Sequence, residues 1–350
     1  MNMVQVTRLL SRSKVSVNIV VYELTDACNQ ACRFCYNYWK AGECSSKMEA
    51  PDFRIAHKTL RKLLRQATIG RMSFSGGEPM MMPHIHDLAL KVRFAGTNFN
   101  LLTNGTLLSD EDIEIFDQLG VGAVQIPILS TDPVLHDKIT SLRGSWQRAV
   151  ASARKVAEKR KGALVPVLIV SKMNLHCIEE CLEFFHNELG ANYALINRFN
   201  IGGLGLQNAS MLNLTHKELE SMFERANHTA ARLGMTLQSG VCTPLCVIDP
   251  QKYPNILFTN CSTDFSHRPL TINYRGDVRF CNHSPKILGN IHKTPLKKII
   301  ESATHDAYFA TIPTKCVGCK LWERCRGGCR AASEQLYGTF GEVDPIVATL

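Results

Sequence analysis

The cysteines closest to the amino terminus have a spacing that could bind a metal cluster. Cys28, Cys32 and Cys35 form a C-x3-C-x2-C triplet. Thiolates are the ligands of iron–sulfur clusters, and three of them leave one iron of a [4Fe-4S] cluster open to a small chelating molecule. A structural zinc ion usually needs four ligands, and Cys44 could complete such a site. The triplet by itself favours a [4Fe-4S] cluster over zinc.

A glycine-rich turn with an acidic residue follows about forty residues later in the chain. Its sequence is Ser75-Gly76-Gly77-Glu78-Pro79. Glycines allow a ligand to approach the backbone closely, and the neighbouring carboxylate can accept an ammonium group. Turns often have this composition, so the motif is informative only in combination with the triplet. Together the two motifs give a strong signal for a ligand site.

The segment that contains both motifs has the pattern of an α/β fold. Short apolar runs predict strands over 17–24, 71–75, 99–103, 123–129, 165–170 and 193–197. Helix-like stretches separate them over 52–67, 83–94, 109–119, 146–159 and 175–189, and Ser109 predicts an N-cap. This alternation predicts a parallel sheet with right-handed crossovers. Both motifs follow strands, at the carboxyl ends where such sheets bind ligands.

The last third of the chain differs in composition and contains a second group of cysteines. A helix-like stretch over 215–233 precedes a tail rich in proline and cysteine. We therefore predict an amino-terminal extension (1–14), a large α/β domain (15–240) and a smaller domain (241–350). The tail contains Gly276-x4-Cys281 and a C-x2-C-x5-C-x3-C motif. Its eight cysteines are Cys242, Cys246, Cys261, Cys281, Cys316, Cys319, Cys325 and Cys329.

The overall composition argues against several classes of protein. The chain of 350 residues is 45% apolar and 20% charged. It has neither a run of ~18 apolar residues nor a signal peptide. Fourteen cysteines without signs of secretion are better explained as metal ligands than as disulfides, which predicts a cytoplasmic protein. The formal charge of +9 is spread along the chain, so we predict no nucleic-acid or membrane partner.

The triplet and the Gly-Gly-Glu-Pro turn together resemble the radical S-adenosylmethionine (SAM) superfamily. The resemblance covers about residues 15–235 and implies a partial (β/α)6 TIM-like barrel, with SAM across the carboxyl ends of the strands. It implies that the triplet binds the [4Fe-4S] cluster and that Phe34 flanks the adenine, although simple packing of Phe34 is an alternative. The SAM contacts that it implies in the turn are Gly76, Gly77, Glu78 and Pro79.

Later strand ends match the family less closely. Asn104 corresponds to the polar end of the third strand. The fourth strand normally ends in Ser-Leu-Asp-Gly, but this chain has Pro127-Ile128-Leu129-Ser130. The departure leaves the expected ribose contacts open between Ser130 and Arg143. Pro127 cannot donate to a strand ladder, which favours a strand end or a bulge there.

The carboxyl-terminal cysteines resemble the SPASM extension of radical SAM enzymes, which usually carries two auxiliary [4Fe-4S] clusters. By this resemblance the first auxiliary cluster takes Cys261, Cys281 and Cys329. Cys246 is the expected fourth ligand, and Cys242 is the reserve.

The second auxiliary cluster departs from the family pattern. It would take Cys316, Cys319 and Cys325, but Val347 stands where the family has its fourth cysteine. The resemblance therefore implies one or two auxiliary clusters, and the second would have either an open iron or an oxygen ligand such as Asp344.

The resemblance implies reductive cleavage of SAM to a 5'-deoxyadenosyl radical, which abstracts hydrogen from a substrate. The commonest task of SPASM enzymes is oxidative modification of a ribosomal peptide or protein by a crosslink, a thioether or a dehydrogenation. Alcohol oxidation is disfavoured, because Asn282 follows Cys281 where sulfatase maturases have an aspartate, although His283 could act as a base. The sequence identifies no catalytic residue.

Two other functions are alternatives. A heme-pathway or other tetrapyrrole enzyme, which decarboxylates or cleaves side chains, has a similar extension and would suit the positive charge. A noncatalytic iron–sulfur scaffold that binds a peptide is the alternative from another class. The expected partners are a peptide or protein substrate and a flavodoxin- or ferredoxin-type electron donor. Because sixteen residues precede the first predicted strand, a leader peptide would be recognised by the barrel or by a separate leader-binding protein.

Overall fold

Eleven strands form one sheet in the part of the chain that the computed structural model describes, which is residues 14–41, 51–261, 269–302 and 310–349. Strands β1 to β8 are parallel and lie side by side in chain order. Strand β9 pairs in parallel with the other edge of β1, and β10 and β11 continue the sheet antiparallel. The strands are β1 (Val15–Thr25), β2 (Ala67–Gly76), β3 (Asn98–Leu102), β4 (Val124–Pro127), β5 (Leu164–Val170), β6 (Tyr193–Arg198), β7 (Thr236–Ser239), β8 (Ile256–Phe258), β9 (Leu270–Asn273), β10 (Asp277–Arg279) and β11 (Ile287–Asn290).

Helices connect the parallel strands and continue into the tail. They are α1 (Phe53–Gln66), α2 (Ile85–Phe94), α3 (Asp110–Gln118), α4 (Pro133–Thr140), α5 (Ser145–Lys159), α6 (Ile178–Asn187), α7 (Leu204–Gln207), α8 (Ala209–Leu212), α9 (His216–Leu233), α10 (Leu296–Ile300), α11 (Trp322–Cys325) and α12 (Arg330–Tyr337). Short 3-10 turns lie at Tyr38–Lys40, Pro79–Met81, Leu175–Cys177, Pro250–Lys252, Thr314–Cys316 and Pro345–Thr349. None of the described helices combines the length and the apolar character needed to cross a membrane.

The predicted alternation of parallel strands and helices is confirmed. Ser109 caps α3 as expected: its hydroxyl accepts the N–H of Asp112 at 3.1 Å, and the Asp112 carboxylate accepts the N–H of Ser109 at 2.9 Å. Pro127 is the last residue of β4, the strand end that its missing donor predicts. Helix α4 was not predicted, and it adds eight residues of helix between β4 and α5.

Strand β1 is buried in the middle of the sheet, as expected for a parallel strand covered on both faces. Val20, Tyr22 and Leu24 are fully buried. The Tyr22 hydroxyl donates to the carbonyl of Ala56 in α1 at 2.6 Å, so its polar atom is satisfied inside the core. Each such apolar side chain contributes roughly 1.5–3 kcal/mol of burial free energy. This core fixes the strand from which the cysteine triplet follows.

The sheet continues beyond residue 240, where the sequence predicts a domain boundary. Strands β7 and β8 extend one edge, and β9, β10 and β11 extend the other. The sequence analysis missed all five, because each has only three or four residues and so presents too short a hydrophobic pattern. The cysteine-rich tail therefore shares the sheet of the α/β domain.

A buried ion pair joins β1 to β10. The guanidinium of Arg279 binds the carboxylate of Glu23, and their side chains are 0% and 3% exposed. Arg279 also donates to the carbonyl of Ser284 at 2.8 Å. Because Cys28 follows β1 and Cys281 follows β10, the pair holds the two cysteine loops in a fixed relation.

We expect Arg279→Met to lower the free energy of unfolding by about 3–5 kcal/mol, because Glu23 would be left buried without its partner. The double variant Arg279→Met/Glu23→Leu should recover part of this loss. Thermal unfolding of the cluster-free protein, followed by circular dichroism, measures both effects. The control is Arg154→Met, since Arg154 pairs with Glu188 at the surface and should contribute about 1 kcal/mol or less. A double variant that is no more stable than Arg279→Met would contradict this account.

Candidate functional site

The cysteine triplet lies in the loop that follows β1. Cys28, Cys32 and Cys35 are each partly exposed, and the N–H of Cys35 donates to the carbonyl of Cys32 at 3.0 Å. Desolvation of its sulfur raises the pKa of Cys32 well above its ordinary value, and the charges of Cys35 and Cys28 raise it further. The three thiols are therefore close enough to repel each other as thiolates. A bound cluster would relieve this repulsion, because its iron ions are positively charged and bind the deprotonated thiols.

Lys40 places a positive charge among these three thiols. Its side chain is buried, and its ammonium group donates to the carbonyl of Gln30 at 2.8 Å. Burial works to lower the pKa of Lys40, but the charges of Cys35, Cys28 and Cys32 outweigh it and the pKa is raised. The sequence analysis missed this residue, since a single lysine in a loop forms no pattern. Only the 3-10 turn at Tyr38–Lys40 brings it back to the triplet.

The two glycines after β2 are required by contact with the β1 loop. Gly76 has a φ of 126°, and a Cβ on Gly77 would lie 2.0 Å from the carbonyl oxygen of Ala27. The N–H of Gly77 donates to Thr25 at 2.7 Å, and the N–H of Glu78 donates to Ala27 at 2.8 Å. The sequence analysis explained these glycines by the approach of a ligand. In the structure the backbone after β1 occupies that space, so the glycines join the two loops.

The Glu78 carboxylate is buried and held by three donors. One oxygen accepts from the Thr103 hydroxyl at 2.6 Å and from the N–H of Met80 at 2.9 Å, and the other accepts from the N–H of Asn104 at 2.7 Å. Burial raises its pKa, and these hydrogen bonds oppose the rise. A carboxylate has about four acceptor positions. One position therefore remains for a further donor such as an ammonium group.

Asn104 ties the end of β3 to the triplet loop. Its side-chain amide donates to Asn29 at 2.8 Å, Asn29 donates to the Thr106 hydroxyl at 2.8 Å, and the N–H of Thr106 donates back to Asn104 at 2.9 Å. Asn37, just after the triplet, donates to the carbonyl of Gly76 at 3.1 Å. The loops after β1, β2 and β3 therefore form one hydrogen-bonded platform at the carboxyl ends of the strands.

Phe34 packs against a small apolar cluster outside the main core, and Pro79 is buried at the start of its 3-10 turn. This contact supports the packing alternative for Phe34, while its contact with adenine stays a prediction. The buried members of the cluster are Phe199, Ile201, Leu212 and Ala332.

The two residues predicted to contact ribose lie in different environments. Ser130 is fully buried, its hydroxyl donates to the sulfur of Cys177 at 3.6 Å, and it accepts the N–H of Asp132 at 3.0 Å. Ser130 would have to leave these contacts to reach a nucleoside. Arg143 is exposed in the turn before α5. Neither residue lies in the hydrogen-bonded platform, and both ribose contacts stay predictions.

Cys242 lies beside the three other cysteines that are predicted to bind the first auxiliary cluster. The side chain of Cys242 is hydrogen-bonded to Cys261, which together with desolvation raises its pKa, and the charges of Cys329 and Cys281 add to the rise. Desolvation raises the pKa of Cys329 to about 12, with contributions from Asp344 and Cys281. The structure thus brings together the three predicted ligands of the first set with the predicted reserve.

Cys246 lies with the second auxiliary set. Desolvation raises its pKa, and the charges of Cys325 and Cys319 raise it further. The pKa of Cys316 is raised by desolvation and then by Cys325, Cys319 and Cys246. The N–H of Leu245 donates to the sulfur of Cys325 at 3.3 Å, so the backbone next to Cys246 contacts this set directly.

Asp344, the predicted oxygen ligand, is engaged elsewhere. Its carboxylate forms a buried salt bridge with Arg198, with both side chains at most 3% exposed. It also accepts the N–H of Cys329 at 2.8 Å and the N–H of Ile346 at 3.0 Å. The aspartate therefore fastens the end of the chain to β6 and to the first cysteine set.

The environment of His283 is unfavourable for a base. Its ring is buried against Tyr36, with centroids 4.8 Å apart, and its Nε2–H donates to the carbonyl of Ile201 at 2.8 Å. Burial lowers its pKa to about 4. The neutral ring connects the Cys281 loop to neighbouring segments, so a structural role replaces the suggested base role.

The donor sets fit iron–sulfur clusters. Each set consists of thiols, the ligands that such clusters use. In the described ranges, no three His, Cys, Asp or Glu side chains form a site for a single metal ion. Cys44, the residue that could complete a zinc site with the triplet, lies outside the described residues.

Comparison with known protein families identifies two domains. Residues 22–185 match the Radical SAM superfamily, and residues 261–330 match SPASM, an iron–sulfur cluster-binding domain. The chain therefore contains a Radical SAM domain and a SPASM domain. The triplet and the Glu78 turn lie in the first match, whereas Cys242 and Cys246 lie upstream of the second.

Curated proteins and solved structures are similar to this chain over almost its full length. The PqqA peptide cyclase of Gluconobacter oxydans is 26% identical over an alignment of 338 residues, which covers 93% of this chain and 88% of that protein. The PqqA peptide cyclase of Xanthomonas axonopodis pv. citri is also 26% identical, and the match covers 93% of this chain and 86% of that protein. SuiB of Streptococcus suis, solved with S-adenosylmethionine, has a TM-score of 0.72 at 17% identity and covers 99% of this chain and 81% of its own. Native anSMEcpe with bound AdoMet has a TM-score of 0.68 at 14% identity, and the match covers 95% of this chain and 94% of that chain.

We expect Lys40→Met to make Cys35 less reactive in the cluster-free enzyme, because the Lys40 charge lowers the pKa of that thiol. A rise of one pKa unit would slow alkylation by iodoacetamide about tenfold below the pKa. Quantitative peptide mass spectrometry across a range of pH values measures the rate for Cys35. Lys40→Arg keeps the charge and is the matched control, which should retain the pH profile. An unchanged profile in Lys40→Met would show that the charge does not act on the triplet.

Proposed function

We propose that this enzyme oxidatively modifies a ribosomally made peptide or protein, by introducing a crosslink, a thioether or a dehydrogenation. The observation that carries the proposal is the platform of three strand ends, which joins the triplet loop to the Glu78 carboxylate. The second support is the presence of two further cysteine sets in the SPASM region. SAM and a [4Fe-4S] cluster, when bound, supply hydrogen-atom abstraction, and auxiliary clusters suit a net oxidation because they accept electrons.

The residues of the platform have distinct roles in this proposal. Cys28, Cys32 and Cys35 hold the cluster that binds SAM, and Lys40 offsets their negative charge. Glu78 receives the SAM ammonium group at its remaining acceptor position, in an orientation set by its three donors.

Gly76, Gly77 and Pro79 act through the backbone, since they set the path of the turn. Asn104 keeps the loops together, and Phe34 supports the triplet loop from the apolar side.

Contacts between the triplet loop and the tail support a joint site. The Gln335 amide in α12 donates to the carbonyl of Tyr36 at 3.0 Å and to the carbonyl of His283 at 2.6 Å. Tyr36 follows the triplet directly, and His283 lies two residues after Cys281. One side chain of the SPASM region therefore bridges the loop of the SAM cluster and the loop of the first auxiliary set.

The substrate class rests on the relatives. Two of them are named for cyclising the peptide PqqA, and they match 93% of this chain. SuiB has also been solved bound to its precursor peptide SuiA, and anSMEcpe with a bound peptide. We propose a peptide substrate here as well. A flavodoxin- or ferredoxin-type protein would deliver the electron, and recognition of a leader would fall to the barrel or to a separate protein.

Coexpression with small peptides encoded beside the gene, under anaerobic conditions in deuterated water, tests this function by mass spectrometry. We expect one peptide to lose about two hydrogens. A gain of deuterium without another change would indicate epimerisation instead of oxidation. Unchanged peptides, with 5'-deoxyadenosine still produced from SAM, would move the assignment to a small substrate such as a tetrapyrrole. Absence of SAM cleavage by the fully reconstituted enzyme would favour the noncatalytic scaffold.

Cys32→Ala should abolish SAM cleavage and retain the auxiliary iron, because only the first cluster loses a ligand. Chromatography of 5'-deoxyadenosine and colorimetric iron analysis measure the two properties. The matched control is Cys181→Ala, since Cys181 is buried in α6, belongs to none of the three cysteine sets and should retain cleavage. Persistent cleavage in Cys32→Ala would refute the assignment of the triplet.

A further inference from the structure

We propose that Cys246 is the fourth ligand of the second auxiliary cluster, in place of the cysteine that the family has at the position of Val347. The inference rests on the proposed function, since it presupposes that the tail binds iron–sulfur clusters. It replaces the sequence-based assignment of Cys246 to the first cluster.

The turn that carries Cys246 is built against the second set. The carbonyl of Pro244 accepts the N–H of Val247 at 2.9 Å and the N–H of Ile248 at 3.2 Å, which closes the turn. Val247 and Ile248 are buried in the main core and anchor it. A Cβ on Gly328 would lie 2.5 Å from the ring of Pro244, so the turn is in tight contact with the segment after Cys325.

The sulfur environment agrees with this geometry. The N–H of Leu245 donates to the Cys325 sulfur at 3.3 Å. Cys246 and Cys319 are both exposed, and Cys316 is partly exposed. Each of these thiols is within electrostatic reach of Cys246. Cys246 therefore lies near the three thiols of the second set, of which Cys325 is buried.

The first auxiliary set is complete without Cys246. Cys242 is hydrogen-bonded to Cys261 and interacts with the charges of Cys281 and Cys329. Three residues separate Cys242 from Cys246, and two of them, Thr243 and Pro244, are buried. This short segment directs the two cysteines to different sets.

The residues that the sequence offered for the second cluster are used elsewhere. Asp344 is held by Arg198 and by two backbone N–H groups, in a buried position. Val347 is partly buried and packs against the main hydrophobic core. The Val347 side chain therefore contributes to packing at the position where the family has a ligand.

The consequence is a division of the eight tail cysteines into two sets of four. The second cluster would then have a thiolate on every iron, and no iron would be open for a substrate atom. Direct anchoring of the substrate at this cluster is excluded by the proposal. The second auxiliary cluster would then serve only in electron transfer.

The test uses full-length protein with Cys28, Cys32 and Cys35 replaced by alanine, so that only auxiliary clusters form. In one background the first set is disabled by Cys261→Ala and Cys281→Ala, and in the other the second set is disabled by Cys316→Ala and Cys319→Ala. Cys246→Ala or Cys242→Ala is then added to each background. These two substitutions are a matched pair, because each removes one cysteine sulfur from the same loop.

Iron and sulfide analysis and electron paramagnetic resonance (EPR) of the reduced protein follow anaerobic reconstitution. With the first set disabled, Cys246→Ala should change the EPR spectrum and reduce the bound iron below about four per chain, while Cys242→Ala should change neither. With the second set disabled, the pattern should reverse. Circular dichroism before reconstitution identifies variants that fail to fold. We expect Cys246→Ala to fold, because Cys246 is exposed.

The opposite pattern, or insensitivity of the second cluster to Cys246→Ala, would overturn the proposal. Failure of the triplet-free protein to bind any iron would instead refute the proposed function on which it rests. Cyanide provides an independent probe, because it binds an open iron. With the first set disabled, cyanide should leave the EPR spectrum unchanged when Cys246 is present, and it should shift the signal of any four-iron cluster that Cys246→Ala retains. A cyanide-dependent shift with Cys246 intact would also overturn the proposal.

Discussion

The buried ion pair between Glu23 and Arg279 is the interaction on which the arrangement of the site depends. It lies where desolvation is costly, and a charge in such a place is tolerated only with its partner. The guanidinium also lies over the ring of Tyr38, 5.0 Å from its centroid, in the turn that carries Lys40. One side chain thus connects the end of β1, the Cys281 loop and the turn after the triplet. These segments are distant in sequence, and the pair allows little freedom between them.

The platform around Glu78 shows a second constraint, which is the convergence of parallel strand ends. Strands β1, β2 and β3 are neighbours, so the loops that follow them meet at one edge of the sheet. Contact between these loops is so close at Gly77 that a side chain would overlap the backbone of Ala27. The close packing aligns donors on the Glu78 carboxylate and leaves it buried. The same crowding desolvates the triplet thiols, and Lys40 counters part of their repulsion. Cluster binding and SAM binding are therefore supported by a single packed unit.

The carboxyl-terminal cysteines illustrate the limits of reasoning from a motif. The spacing C-x2-C-x5-C-x3-C and the resemblance that it carries identified the tail as a cluster-binding region, and the SPASM match agrees. Spacing could not assign Cys242 and Cys246, because two thiols four positions apart in a loop are equivalent in sequence. The backbone path through Thr243 and Pro244 separates them. Asp344 was a reasonable oxygen ligand by position, but its carboxylate instead balances the buried charge of Arg198.

The sequence by itself determined the alternation of strands and helices, the cap at Ser109, the triplet, and the Gly-Gly-Glu-Pro turn. These features depend on local hydrophobic periodicity, backbone conformation and ligand spacing, which neighbouring residues encode. Only the tertiary structure decided that β9 pairs with β1, that Lys40 lies among the triplet thiols, and that Cys246 lies beside Cys325. Strands of three or four residues carry too weak a local signal, and contacts between loops depend on how the whole sheet closes. The burial of Ser130 and His283 was also decided only by the tertiary structure, since their environments come from segments far away in the chain.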